Sequence, residues 1–179
     1  MKPIEGYELV NEAGEFKQLP KGIYLLKITN VVDVPNNEYL EIYSDVAKGE
    51  FMNYFKTLID NGLKDTSRSI RSYKSNALPF FKAFITAVEK SNPNYKWDWD
   101  ESKLVGKFVI GVVGEEEFED KNGNIRIGTK IVEFRSIEAF KEGRIKVPEL
   151  KKLPPKQETP VSESQNLEQL NIDDLDLPF

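Results

Sequence analysis

The order of the apolar patterns along the chain is the feature that most restricts its fold. Five segments rich in apolar, β-branched or aromatic residues predict β-strands: residues 21–32, 37–44, 50–56, 106–118 and 124–134. Residues 75–93 predict one amphipathic helix, because apolar side chains recur there at helical spacing. Asn122 and Gly123, between the last two segments, are typical of a tight hairpin turn. The chain is therefore predicted to fold as three strands, one helix and a two-stranded hairpin.

A five-stranded, partly open Greek-key barrel, the OB-fold, accommodates this order of elements. We predict a mostly β protein with an OB-fold-like barrel and one main helix between the third and fourth strands. A split α+β sheet with the same order of elements is the alternative. Seven residues of the helix are expected to face the core: Leu78, Phe80, Phe81, Phe84, Ile85, Ala87 and Val88. Trp97 and Trp99 are expected to cover one end of it.

The segment after residue 147 differs in composition from the rest of the chain. Five of the ten prolines lie there, and no aromatic residue lies between Pro148 and Pro178. Residues 157–179 hold six acidic residues and no Lys or Arg, whereas the rest of the chain holds 24 acidic and 25 basic residues, so the whole acidic excess lies in this segment. Such a composition cannot bury enough apolar surface to offset its conformational entropy. We therefore predict a folded domain over residues 1–147 and a disordered acidic tail over residues 148–179.

The residue types that are absent restrict the chemistry. The chain has no His and no Cys, which excludes His-based catalysis, thiolate metal sites and disulfides. No glycine-rich phosphate-binding motif is present, and we expect no catalytic residue, metal site or cofactor. A metal-dependent nuclease built on carboxylates is the enzymatic alternative, with these candidates: Asp98, Asp100, Glu115, Glu116 and Glu117. No stretch resembles a signal peptide or a membrane span, so a cytoplasmic protein is expected.

Aromatic and basic residues occur together in the predicted domain, and this combination is typical of single-strand binding. Rings stack on bases while cations follow the phosphates. In the second strand, Tyr39 and Tyr43 point away from the side of Leu40 and Ile42. Residues 66–75, predicted as a loop, hold three cations and one tyrosine without an acid. The predicted nucleic-acid-binding residues are Tyr39, Tyr43, Tyr54, Lys56, Arg68, Arg71, Tyr73, Lys74, Arg126 and Lys130.

The chain ends in the sequence NIDDLDLPF, which combines carboxylates, apolar side chains and a terminal aromatic residue. Phe179 can enter an apolar pocket while its terminal carboxylate meets a cation on a partner. The predicted partner-binding residues are Asp173, Asp174, Asp176, Leu177, Pro178 and Phe179. The DDLDLPF ending resembles the C-terminal tip of bacterial single-stranded DNA-binding proteins, except that Leu175 and Leu177 interrupt the acidic run.

Four segments of the predicted domain resemble the phage-encoded single-stranded DNA-binding proteins of Gram-positive hosts: KGIYLLKI, RSYKSNALPFFKAFI, NPNYKWDWDESKLVGK and VPELKK. The resemblance implies an OB-fold that binds and protects single-stranded DNA during replication or recombination. It also implies a tip that recruits host or phage replication and repair proteins. The same residues are compatible with strand annealing. The alternatives are the nuclease and an acidic-tailed adaptor that binds no DNA. The sequence specifies no oligomeric state.

Overall fold

The computed structural model describes residues 1–4, 7 and 17–154, and it shows one five-stranded antiparallel sheet with helices. The strands are β1 (Gly22–Val34), β2 (Tyr39–Val46), β3 (Arg68–Ser72), β4 (Phe108–Glu119) and β5 (Ile125–Arg135). The helices are α1 (Tyr54–Asp60), α2 (Leu78–Ser91) and α3 (Ile137–Lys141). The strand order is β3-β2-β1-β4-β5. A mostly β protein with five strands is thus confirmed, and the main helix, α2, lies between β3 and β4 in the chain.

The sheet is not closed into a barrel. Within the part of the chain that the structure describes, β3 and β5 are the edge strands, and no ladder of hydrogen bonds joins them. β1 connects the two halves of the sheet, since its residues 22–27 pair with β4 and its residues 26–34 pair with β2. A bulge between Ile28 and Asn30 lies where β1 leaves β4. Bulges of this kind increase the bend and the twist of a strand, so the sheet curves around its core.

The predicted third strand over residues 50–56 is wrong. This segment forms a turn followed by α1, and the Asp45 carboxylate accepts hydrogen bonds from the backbone N–H groups of Phe55 and Lys56, both at 2.9 Å. A carboxylate in this position satisfies donors that the first turn of a helix leaves free. The third strand is instead β3, inside the segment predicted as a loop, where Ser69 is buried between exposed Arg68 and Ile70.

The core lies between the curved sheet and α2. Leu26, Ile28 and Ile42 of the sheet are fully buried, and the Phe84 ring of α2 lies 5.1 Å from the Phe134 ring of β5. Phe81, Phe84, Ile85, Ala87 and Val88 are buried as predicted. The prediction is wrong for Leu78 and Phe80 in the first turn of α2, which are 48% and 74% exposed. No described helix has both the length and the apolar character that a membrane crossing requires.

Residues 148–154, the first part of the predicted tail, include a short parallel pairing with β4. The Lys151 N–H donates to the Glu115 carbonyl at 3.0 Å, and the Glu117 N–H donates to the Lys151 carbonyl at 2.9 Å. Pro148 lies next to Gly114, where an added Cβ would come within 3.2 Å of the proline ring. The rest of the predicted tail, including its tip, lies outside the described residues.

Candidate nucleic-acid interface

The exposed side of β2 and β3 carries a regular array of aromatic, apolar and charged side chains. Burial alternates along β2 as predicted, with Leu40 and Ile42 inside. Residues directly opposite each other in an antiparallel pair project from the same side of the sheet. The register therefore places six side chains on one surface, which we call the outer face: Tyr39, Glu41 and Tyr43 of β2 opposite Ser72, Ile70 and Arg68 of β3.

Glu41 organises the polar groups of the outer face. Its carboxylate accepts hydrogen bonds from the Tyr43 hydroxyl at 2.9 Å and from the Arg68 guanidinium at 2.6 Å. The hydrogen bond to Glu41 raises the pKa of Tyr43, since a phenolate would face a carboxylate. Tyr43 therefore stays neutral and its ring is held in place. For Arg68, by contrast, Glu41 competes with any phosphate.

The outer face continues into a cleft between the edge strands β3 and β5, which we call the edge cleft. Its volume is about 760 Å³. Arg68 and Ile70 line it from β3, Lys130 and Val132 line it from β5, and exposed Phe80 reaches it from α2. Five cations line this cleft in total: Arg68, Arg71, Lys130, Lys146 and Lys151. Four carboxylates also line it: Glu115, Glu116, Glu133 and Glu149. One of them, Glu116, pairs with Lys130 at 2.5 Å.

Arg71 points to the opposite side of β3 from Arg68. It lies opposite buried Leu40 in the register, and its guanidinium carbon is 4.5 Å from the centre of the Phe134 ring. Burial lowers the pKa of Arg71 to about 10, an effect that the nearby Glu133 carboxylate partly opposes. Because Phe134 belongs to β5, this stacking links the two edge strands across the opening of the sheet.

The structure does not place the other predicted residues on the outer face. Tyr73 follows β3 and turns towards α2, where its hydroxyl donates to Asp33 at 2.9 Å. Lys74 comes next and is exposed. Tyr54 packs against the core, and its hydroxyl accepts a hydrogen bond from the Leu19 N–H at 3.1 Å. Lys56 pairs with Asp60 on α1. Arg126 pairs with Asp120 at 2.6 Å near the tip of the β4–β5 hairpin. The hydrogen bond from Arg126 is the main cause that lowers the pKa of Asp120 to about 2.

Sequence reasoning placed Glu41 on the same side of the strand as Tyr39 and Tyr43 but gave it no role, and it missed Ile70 as a member of the outer face. Glu41 was visible as the residue between two outward tyrosines, but its bond to Arg68 depends on the register of β2 and β3. Ile70 could have been found from the alternation in the sequence RSIRS, which is short and has serine at its buried position. Phe80 was assigned to the core because its spacing fits the apolar stripe of α2.

The acidic residues that were candidates for a nuclease are engaged with cations or backbone groups. Glu115 pairs with Lys21 at 2.8 Å, and Asp98 and Asp100 both pair with Lys103. The Glu117 carboxylate accepts from the Leu153 N–H at 3.0 Å. Among the residues that the structure describes, no group of three or more carboxylates is arranged to hold a metal ion.

No model of a known protein family matches the chain, and no curated protein matches it either. The outer face and the edge cleft are therefore the features that indicate a function.

Proposed function

We propose that the chain is a single-stranded DNA-binding protein that holds the strand on its outer face and edge cleft. The observation that carries this proposal is the array of half-buried Tyr39 and Tyr43 with exposed Arg68 on one side of two paired strands. Tyrosine rings offer stacking surfaces to bases of any identity, and the adjacent cation neutralises phosphate. Lys130 extends the cationic path across the edge cleft towards β5.

The order of the strands supports an OB-fold as the architecture behind this interface. Opening a five-stranded barrel along one seam leaves a sheet whose two edge strands face each other. β3 and β5 line opposite sides of the edge cleft, and the Arg71–Phe134 stacking joins them. α2 lies between β3 and β4 in the chain, as the sequence prediction required. In an OB-fold, the second and third strands form a common nucleic-acid face, and they carry the outer face here.

The proposed function has a second part, the recruitment of partners by the tail. The tip resembles that of bacterial single-stranded DNA-binding proteins, so we propose that it binds host or phage replication and recombination proteins. Phe179 would fill an apolar pocket, and Asp173, Asp174 and Asp176 would face a basic rim. The resemblance to phage-encoded proteins implies that the protein acts in the cytoplasm of the host cell.

The test is a titration of the full chain with labelled single-stranded and double-stranded oligonucleotides at low salt. We expect preferential binding of the single strand, and we expect Tyr39→Ala and Tyr43→Ala each to weaken it by about 1 to 3 kcal/mol. Phe140→Ala is the matched control, because this ring is exposed on α3 and should not affect binding. Circular dichroism should be unchanged in all three variants.

Three results would contradict the proposal. Magnesium-dependent cleavage of the oligonucleotide would identify the nuclease, and the absence of strand binding at low salt would leave the adaptor. Equal losses in Phe140→Ala and in the two tyrosine variants would show that the strand does not bind on the outer face.

A further inference from the structure

A second groove is lined by residues of α2 and of the segment before β4, and it contains none of the residues of the outer face. Its wall is a series of aromatic rings with neighbouring centres about 6 Å apart, and we call it the aromatic groove. The distances are 5.9 Å from Tyr73 to Phe81, 6.3 Å from Phe81 to Trp97 and 6.1 Å from Trp97 to Trp99. Leu78 of α2 also lines the groove, which encloses about 1120 Å³.

Trp99 is the most unusual residue of this groove. Its side chain is 82% exposed, so the prediction that it covers the core is wrong, whereas Trp97 beside it packs against the core as predicted. Its φ angle is 68°, in the left-handed region that a bulky residue rarely adopts. Leu78 of the same groove is half exposed. A large aromatic side chain at an open apolar groove is typical of the residues that anchor a protein partner.

The charges around the aromatic groove select among possible occupants. Its lining includes the carboxylates of Asp33, Glu89 and Glu101, against the single ammonium group of Lys82. Glu101 forms no ion pair with any residue that the structure describes. An excess of carboxylates repels phosphate, which disfavours a DNA strand in this position. It also disfavours the chain's own tail, because residues 157–179 are acidic and lack Lys and Arg.

We propose that the aromatic groove binds an apolar peptide segment of another protein, with a Lys or Arg next to its apolar anchor. The anchor packs between Trp99 and Leu78, and the cation pairs with Glu101. Charge complementarity predicts that the peptide carries a basic residue beside its apolar anchor. The acidic tip of the tail would instead select a basic, apolar pocket on a different protein surface. The chain then has a partner site on its folded domain in addition to the one proposed for its tail.

The experiment uses a displayed library of random linear peptides, selected on the full chain. We expect the enriched peptides to share an aromatic or aliphatic residue adjacent to Lys or Arg. The best of them, labelled and measured by fluorescence anisotropy, should lose at least about tenfold in affinity with Trp99→Ala, the loss typical of an anchor residue. Glu101→Lys should produce a comparable loss. Phe140→Ala is the matched control, and it should bind like the parent.

The single-strand affinity of Trp99→Ala and Glu101→Lys separates this proposal from the proposed function. We expect both variants to bind oligonucleotides as well as the parent does. A loss of strand binding in Trp99→Ala would assign the groove to a DNA base and overturn the proposal. A change from dimer to monomer in the same variant, measured by sedimentation, would make the groove an interface between copies. The proposal would also be overturned if the selection enriched acidic peptides or no peptides. The same holds if the enriched peptides bound Trp99→Ala as well as the parent.

Discussion

Replacing Glu41 with glutamine should strengthen single-strand binding, although Glu41 lies in the middle of the proposed interface. The carboxylate holds the Arg68 guanidinium at 2.6 Å and neutralises its charge, so Glu41 competes with any phosphate for Arg68. Arg68 is half exposed, so breaking this pair costs about 0.2 to 1 kcal/mol. Glu41→Gln removes that cost while its amide oxygen can still accept the Tyr43 hydroxyl. We expect the dissociation constant to fall by a factor of about 1.4 to 5.

The assay is fluorescence anisotropy with a labelled oligothymidine over a range of salt concentrations. Arg68→Ala should weaken binding and flatten the slope of log affinity against log salt by about 0.7, the value for one phosphate contact on a single strand. Glu41→Gln in the Arg68→Ala background should gain less than it does alone, because the cation that it releases is missing. Glu138→Gln is the matched control, because it also removes one carboxylate from an ion pair, the exposed pair of Glu138 with Lys90 of α2. Glu138 lies far along the chain from β2.

Two results would refute this reasoning. If Glu41→Gln and Glu138→Gln strengthened binding equally, the gain would come from net charge and not from the release of Arg68. If Glu41→Gln weakened binding while Arg68→Ala left the salt slope unchanged, Arg68 would serve only to orient Glu41.

The remaining predictions concern stability and the tail. Arg71→Ala should lower the free energy of unfolding by about 0.5 to 2 kcal/mol, because it removes the stacking on Phe134, and chemical denaturation measures this loss. Gly111→Ala should lower the free energy of unfolding by about 1 to 3 kcal/mol, because the added Cβ would overlap the Leu26 side chain. An unchanged melting temperature would contradict this packing of Leu26 against Gly111. Phe179→Ala should abolish the capture of replication or repair proteins in a pull-down and leave strand affinity intact, whereas equal capture by the variant would exclude the tip as the recruiting element.

The elements that sequence reasoning predicted correctly are those with a strong local signal. The strict alternation of β2 and the apolar stripe of α2 each extend over many residues, and Gly123 adopts the positive φ of 82° that a tight hairpin turn favours. Such patterns are independent of the rest of the chain, so the sequence alone suffices to find them.

The errors arose where a distant residue decides the local structure. Residues 50–56 have the composition of a strand, but Asp45, ten residues before Phe55, caps the helix that forms there. β3 was predicted as a loop because its buried position is Ser69 and not an apolar residue.

The same distinction applies to the candidate site. Tyr39, Tyr43 and Arg68 were found from residue type and alternation. Three features needed the structure: the register that places Arg68 beside Glu41, the strand alternation that turns Arg71 to the inner side, and the turn after β3 that directs Tyr73 towards α2. The positions of the tip residues lie outside the described part of the chain, so their role stays a prediction.

The double pairing of β1 also affects how the chain folds as it is synthesised. Its C-terminal half meets β2 after a short turn, whereas its N-terminal half pairs with β4, so that Leu25 lies opposite Ile110. Ribosomes add about 5 to 20 residues per second, so roughly 80 further residues take about 4 to 16 s to appear. During that interval the backbone groups of residues 22–27 that later pair with β4 lack this partner. An unpaired strand edge recruits other strands, so this segment of a nascent chain is open to mispairing or to capture by a chaperone until β4 appears.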